Sequence, residues 1–260
     1  LLAKTDETLS WWSEVCDSIG SYIASDTCQS TDMLALSYNH LPGHLKPCFL
    51  YFGAFPEDYE IQVSRLVWLW VAEGFIQRNS QKSLEEVAEE YLQDLIERSL
   101  VLISNTGDLG EIKFCRIHDL LHDFCRVRGK EENFFEIIYK YEDVFSPFSS
   151  GSSSASSLVE KGCHRRLCVY LPFDDRISLN PHFPSDVYSF SLFTSITKEP
   201  LQYAPSIFEA FNNLRVLDLA KIQLKNFPHE IAQMSQIRYL ELSITGGDIP
   251  ESVCSLNHLE

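Results

Sequence analysis

Two stretches near the end of the sequence carry the same core pattern: Leu214-Arg-Val-Leu217-Asp-Leu219 and Ile237-Arg-Tyr-Leu240-Glu-Leu242. Each is followed by an apolar residue and a proline, Phe227-Pro228 and Ile249-Pro250, and the first residues of a further unit stand at 259. The starts at 214, 237 and 259 are separated by steps of 23 and 22 residues. A fixed step of this size leaves a chain few options. The alternating Leu-x-Leu is a short strand with one buried side. The rest of each step must return the chain to begin the next strand beside the last. One such unit cannot bury its apolar face alone, so units must stack into a row.

Pattern and period are those of leucine-rich repeats. Arg166-Leu-Cys-Val-Tyr170 and Val187-Tyr-Ser-Phe-Ser-Leu192 read as strands of less regular earlier units. The sequence therefore predicts that 161–260 is the start of an α/β leucine-rich-repeat solenoid. The chain opens on Leu1-Leu2-Ala3 and stops at Glu260 just as a unit begins. Both ends read as cut, and the expectation is an internal piece of a longer protein.

The first half obeys a different period. Residues 8–23 place Leu9, Trp12, Val15, Ile19, Tyr22 and Ile23 on one helical face. Residues 31–38 predict a short helix. After Leu41-Pro42-Gly43, residues 43–53 predict another, with Pro47 within the first turn or so, where its missing N–H costs little. Residues 62–73 are apolar on nearly every face, which predicts a helix buried on most sides. Over 83–98, Ser83 and Glu86 form a capping-box pair ahead of apolar residues at 84, 87, 88, 91, 92, 95 and 96. Residues 100–104 and 111–116 then read as a hairpin around two glycines, and Ile117 to Cys125 begins one more helix. Three helices, a fourth, a hairpin and a closing helix are the plan of a winged-helix domain, assigned to 29–130. Nine of the twelve residues over 146–157 are Ser or Gly, a composition too polar to bury. The predicted organisation is a helical remnant over 1–28, the winged helix, a helical extension and Ser-rich linker over 131–160, and the repeats. The fold class is mixed: a mainly α-helical winged-helix domain followed by the start of the solenoid.

Charge narrows the function. The net charge is -16, and residues 1–150 hold 25 acids against 12 bases (12 − 25 = -13). Such a surface repels a phosphate backbone, so nucleic acid is not an expected partner. The helix that would read a groove, 62–73, offers one base, Arg65, where a reader needs several polar side chains on an exposed face. No stretch approaches the roughly 18 apolar residues of a membrane helix, so no integral membrane contact is expected. The eight cysteines include no Cys-x-x-Cys pair and predict buried free thiols, as in a cytoplasmic protein. Cys115, His118, His122 and Cys125 have a spacing suggestive of zinc, but all fall on or beside one helix, which cannot surround a tetrahedral ion.

Longer motifs add an identity. Leu36-Ser-Tyr-Asn-His-Leu-Pro42, Leu45-Lys-Pro-Cys-Phe-Leu-Tyr-Phe-Gly-Ala-Phe-Pro-Glu-Asp58, Leu66-Val-Trp-Leu-Trp-Val-Ala-Glu-Gly-Phe75 and Tyr91-Leu-Gln-Asp-Leu95 stand in order along the chain. Ile117-His118-Asp119 follows, then His122-Asp123. Together they resemble the winged-helix signature of plant NB-ARC leucine-rich-repeat disease-resistance proteins, above all the coiled-coil class and its late-blight resistance homologues. In that family the triplet is Met-His-Asp, and Ile117 replaces the Met with a similar apolar volume.

The resemblance implies a mechanism. ADP would sit between a nucleotide-binding core, a helical domain and the winged helix, with His118 on its phosphate and Asp119 fixing the local geometry. Exchange for ATP would release the winged helix and let the open receptor oligomerise. The implied partners are an upstream nucleotide-binding domain and, through the repeats, a pathogen effector or host protein. A helix start at His118-Asp119 fits, because free N–H groups and the helix dipole favour an anion there. The sequence contains no Gly-x-x-x-x-Gly-Lys-Ser/Thr loop. No enzyme activity and no tight ADP binding are therefore expected of this segment, while the intact parent would resemble a slow ATPase switch. The alternative reading is a stand-alone repeat module for protein interaction, in which the winged helix is only a cap and no nucleotide is involved.

Overall fold

A computed structural model describes residues 29–139, 166–171, 187–194, 208 and 213–259. The expectations for 1–28 and for the Ser-rich stretch 146–157 fall outside the described residues. The chain divides into two compact units. One holds the described residues up to Val71 together with Phe75–Gly129, and the other holds Ala72–Gly74 together with the described residues from Lys130 onward.

The first unit follows the order predicted for a winged helix. Its elements are α1 (Gln29–Asn39), α2 (Leu45–Leu50) running into a 3-10 turn (Tyr51–Ala54), β1 (Ile61–Gln62), α3 (Val63–Glu73, whose last two residues belong to the other unit), α4 (Leu84–Glu97), β2 (Leu102–Thr106), β3 (Ile112–Arg116) and α5 (Asp119–Glu131). The strands form an antiparallel sheet in the order β1-β3-β2, pairing Ile61 with Cys115 and Leu102 with Arg116. β1 is not legible in the sequence, since two residues carry no period.

The core shows why these residues form these elements. Leu45, Phe49, Phe52, Ile61, Leu66, Leu69, Trp70, Leu92 and Leu95 are all fully buried. They are the apolar positions of helices predicted from spacing alone, together with the one core residue of β1. α3 is buried on most sides; Trp68, at 36% exposure, and Ser64 face outward and Arg65 is half-buried. Its end follows from Gly74, at φ +79°, which lets the Phe75 N–H return to the Trp70 carbonyl at 3.0 Å. At the start of α4 the capping box is formed in both directions, Ser83 N–H to Glu86 Oε2 at 2.8 Å and Glu86 N–H to Ser83 Oγ at 3.2 Å.

The other end of α4 is strained. Ser99 occupies the left-handed position (φ 60°), where a glycine normally ends a helix. The Leu100 and Ser99 N–H groups still close the turn on Leu95 and Ile96. Ser99→Gly removes a Cβ from a conformation that disfavours it, so we expect the winged-helix unit to gain about 1 kcal/mol. A shift in its urea midpoint checks this, and an unchanged or lower midpoint would show that the turn is not strained.

The second unit is built on a five-stranded sheet in the order β4-β5-β6-β7-β8, all parallel. The strands are β4 (Glu136–Ile138), β5 (Arg166–Leu171), β6 (Ser189–Thr194), β7 (Val216–Leu224) and β8 (Tyr239–Ile244). Residues 136–138 correct one expectation: they lie in the predicted helical extension but form a strand. Phe134-Phe135-Glu136-Ile137-Ile138 is rich in aromatic and β-branched residues, which suit a pleated surface better than a helix. The repeat motif sets the register, with Leu217 opposite Leu240 and Leu219 opposite Leu242. Leu167, Phe190, Leu217, Leu219 and Ile231 share one core on that face. After β7 and β8 the chain turns through 3-10 helices, His229–Gln233 and Glu251–Ser255, with Pro228 and Pro250 as their caps.

The opposite sheet face carries rows that the repeat motif does not announce. Cys168, Ser191, Asp218 and Glu241 lie side by side in register, next to Arg166, Ser189, Val216 and Tyr239. Asp218 is only 2% exposed, and Ser189 and Ser191 are buried with it. Arg166 Nε donates to Glu73 Oε2 at 2.6 Å, and the Glu73 side chain has no exposure at all. Arg166 also donates from Nη1 to the Phe134 carbonyl at 3.1 Å and lies over the rings of Phe134 (4.5 Å) and Tyr188 (5.2 Å). Burial, reinforced by the nearby Glu73 and Asp218 charges, drives the Cys168 thiol far above its usual range.

Candidate functional site

The predicted site residues sit where β3 gives way to α5. Three consecutive residues have three different environments. Ile117 is 8% exposed and anchors the turn in the core, while His118 and Asp119 are exposed. Asp119 is the first residue of α5, where its charge complements the helix dipole. His118 stands in the capping position. Its carbonyl accepts from the N–H groups of Leu121 (2.8 Å) and His122 (2.9 Å), and its ring Nδ1 accepts from the Leu120 N–H at 3.3 Å.

This amends the sequence reading in one respect. A bare helix start would turn its N–H groups toward an incoming anion. Here those of Leu120 and Leu121 are already bound within the turn. What the turn presents is the exposed imidazole.

The rest of α5 is pinned, which fixes the position of His118. His122 is 2% exposed and its Nε2 bonds the Phe55 carbonyl at 2.9 Å. The Cys125 thiol donates to the Phe49 carbonyl at 3.3 Å. Gly53 lies so close to the helix that an added Cβ would stand 3.0 Å from the Arg126 nitrogen and the Cys125 carbonyl carbon. Neither Gly53 nor the two carbonyl partners can be picked out from the sequence, because each contact joins residues about 70 positions apart.

The four residues with zinc-like spacing are used separately. His122 Nε2 and the Cys125 thiol bond backbone carbonyls, His122 Nδ1 is buried without a hydrogen-bond partner among the described residues, His118 caps a helix, and Cys115 is fully buried in β3. Burial pushes the Cys115 thiol up to about 12 and Cys125 well above its ordinary value. On α3, Arg65 donates to Tyr59 Oη at 2.8 Å and lies 6.0 Å from the centres of the Phe55 and Tyr59 rings. A cleft of about 700 Å³ opens between α4 and the hairpin, lined by Glu86, Glu89, Glu90, Glu111 and Lys82 among others. It does not include His118 or Asp119. Its carboxylates are largely occupied: Glu86 by the capping box, Glu90 by Lys82, and Glu111 by Lys113 and the Leu109 N–H.

Comparison with known proteins bears on the whole chain. Residues 54–125 match the winged-helix domain of disease resistance proteins. Over its full length the chain is 34% identical to the late blight resistance protein homolog R1B-16 of Solanum demissum, covering 19% of that protein. It is 35% identical to homolog R1B-14 and 34% identical to homolog R1B-8 of the same plant, again over the full chain, covering 19% and 21% of them. The chain thus spans about a fifth of the length of the relatives it matches. The hairpin, the start of the closing helix and the Ile117-His118-Asp119 turn lie inside the stretch that matches the winged-helix domain of disease resistance proteins, and the remaining length aligns with the same plant relatives.

Proposed function

We propose that this chain is the winged-helix segment of an ADP/ATP-gated NB-ARC immune receptor, joined to the first leucine-rich repeats of its recognition domain and acting in the cytoplasm in defence. The observation that carries the reading is the turn at 117–119. It holds an exposed imidazole and an exposed carboxylate on a rigid helix start, at the motif position that the family resemblance ties to nucleotide. ADP would be bound mainly by a nucleotide-binding domain upstream, with His118 on its phosphate and Asp119 keeping the turn in its closed geometry. The repeat reading is supported by parallel strands that keep the Leu217–Leu240 register and by the proline-led turn after each. Those repeats would meet an effector or a host protein, and the ATP-bound form would oligomerise.

The experiment is Asp119→Val in the whole receptor. Loss of the carboxylate should loosen the closed state, with less ADP retained on purification and higher basal signalling in leaf tissue. A variant that keeps its ADP and stays silent would remove Asp119 from the switch.

A further inference from the structure

In each repeat the residue after the first apolar position stands at the leading edge of the strand. In two successive units it is arginine, Arg215 after Leu214 and Arg238 after Ile237. The register sets them side by side: Val216 faces Tyr239, and the Arg238 and Tyr239 N–H groups both reach the Arg215 carbonyl, at 2.8 and 3.0 Å. One unit earlier Tyr188 fills the same place, and its carbonyl accepts from the Arg215 N–H at 2.7 Å. Neighbouring strands lie about 4.8 Å apart, so the two arginine stems leave the sheet as neighbours. Like charges so placed repel. Elsewhere this sheet cancels such a charge: Arg166 lies over the rings of Phe134 and Tyr188 and is matched by Glu73. Arg215 lies over the same Tyr188 ring, 5.4 Å from its centre, but has no carboxylate. Neither Arg215 nor Arg238 has an ion pair or a side-chain hydrogen bond among the described residues. The acids of their strands, Asp218 and Glu241, stand three residues on, about 10 Å along the chain and on the other side of the pleat. Stacking holds a guanidinium by its face and leaves its N–H edge for an acceptor. Arg215 is exposed and Arg238 half-buried.

We propose that Arg215 and Arg238 form a docking edge for an acidic segment of a partner protein, with each guanidinium fork receiving one carboxylate. The site rests on the register of β7 and β8, and its part in recognition rests on the repeat reading above. Charge selects the partner. A chain of net charge -16 repels a long polyanion, whereas a short acidic stretch meets only the local positive pair. Geometry selects a peptide over a small ion. Two side chains on an open strand edge cannot enclose an ion, but alternate residues of an extended peptide stand about 6–7 Å apart, within reach of two splayed guanidiniums. The carboxylates would also remove the repulsion between the two arginines, which the sheet leaves unanswered.

The test uses the 260-residue chain and a rhodamine-labelled hexaglutamate peptide, followed by fluorescence anisotropy. Binding should be saturable. Arg215→Gln and Arg238→Gln should each weaken it about ten to a hundred times, the loss of one charge-assisted hydrogen-bonded pair. Arg215→Lys should restore only part of the affinity, because an ammonium keeps the charge but neither the fork nor the stacked plane. Lys225→Gln removes a charge from the same unit away from the pair and should leave the affinity as it was. Melting of each variant checks the fold, and Arg238→Gln, which disturbs no stacking, keeps the test open if Arg215→Gln unfolds. Absence of saturable binding, or a Lys225→Gln loss equal to that of Arg238→Gln, would overturn the docking edge. Displacement of the peptide by inorganic phosphate at equal concentration would make this a free-anion site and overturn the peptide partner. None of these results touches the nucleotide reading, which stands or falls with Asp119→Val.

Discussion

Replacing Arg166 with alanine is expected to cost the sheet unit about 3–5 kcal/mol, far more than a surface ion pair is worth. The reason is what stays behind. Glu73 has no exposed side-chain surface, and its Oε1 has no hydrogen-bond partner among the described residues. Only Oε2 is satisfied, and by Arg166. Without the guanidinium, the Glu73 carboxylate stays buried with its cation gone. The contacts with the Phe134 carbonyl, the Phe134 ring and Tyr188 go as well. Amide hydrogen exchange along β5 and β6 should accelerate by the corresponding factor. The pair also has a double variant, Glu73→Leu with Arg166→Met, which buries two apolar side chains in place of two charges. It should recover most of the loss, because the attraction of a buried pair barely exceeds its desolvation cost. A single variant that costs under about 1 kcal/mol would mean that water reaches this pair after all.

Gly53→Val should be nearly as damaging to the winged-helix unit, at about 3 kcal/mol. A Cβ here would already touch backbone atoms of Cys125 and Arg126 at 3.0 Å, and backbone in mid-helix cannot swing aside as a side chain can. Two further methyl groups must push α5 outward. That outward movement stretches the His122–Phe55 and Cys125–Phe49 hydrogen bonds and shifts the turn bearing His118. Gly43→Ala is the matched control, since a Cβ there meets nothing within 4 Å. The unfolding midpoint of the first should fall sharply and that of the second should hardly move. Equal midpoints would show that α5 can retreat at no cost.

These two cases mark the limit of what the sequence can disclose. The Ser83–Glu86 capping box is legible because both partners lie within one helical turn. The strands β7 and β8 are legible because their leucines repeat, and the closing helix because Ile117 to Cys125 changes the apolar period. The pair Glu73–Arg166 spans 93 residues, and neither residue belongs to a motif for pairing. Gly53 reads as an ordinary glycine until a helix is laid against it. β4 passes for helix because three residues show no period of either kind. At the site, spacing and motif point to His118, Asp119 and the helix start, but not to the bond from Leu120 to Nδ1. That bond depends on a side-chain rotation that no spacing encodes.

The grouping of Ala72–Gly74 with residues far along the chain has a consequence for biosynthesis. A ribosome adding about 5–20 residues per second needs roughly 5 to 20 s to pass from Glu73 to Arg166. For that interval the first unit can fold while Glu73 waits in water without Arg166. Arg166 on β5 thus meets a carboxylate made long before it, and the pair closes only when the later strand arrives.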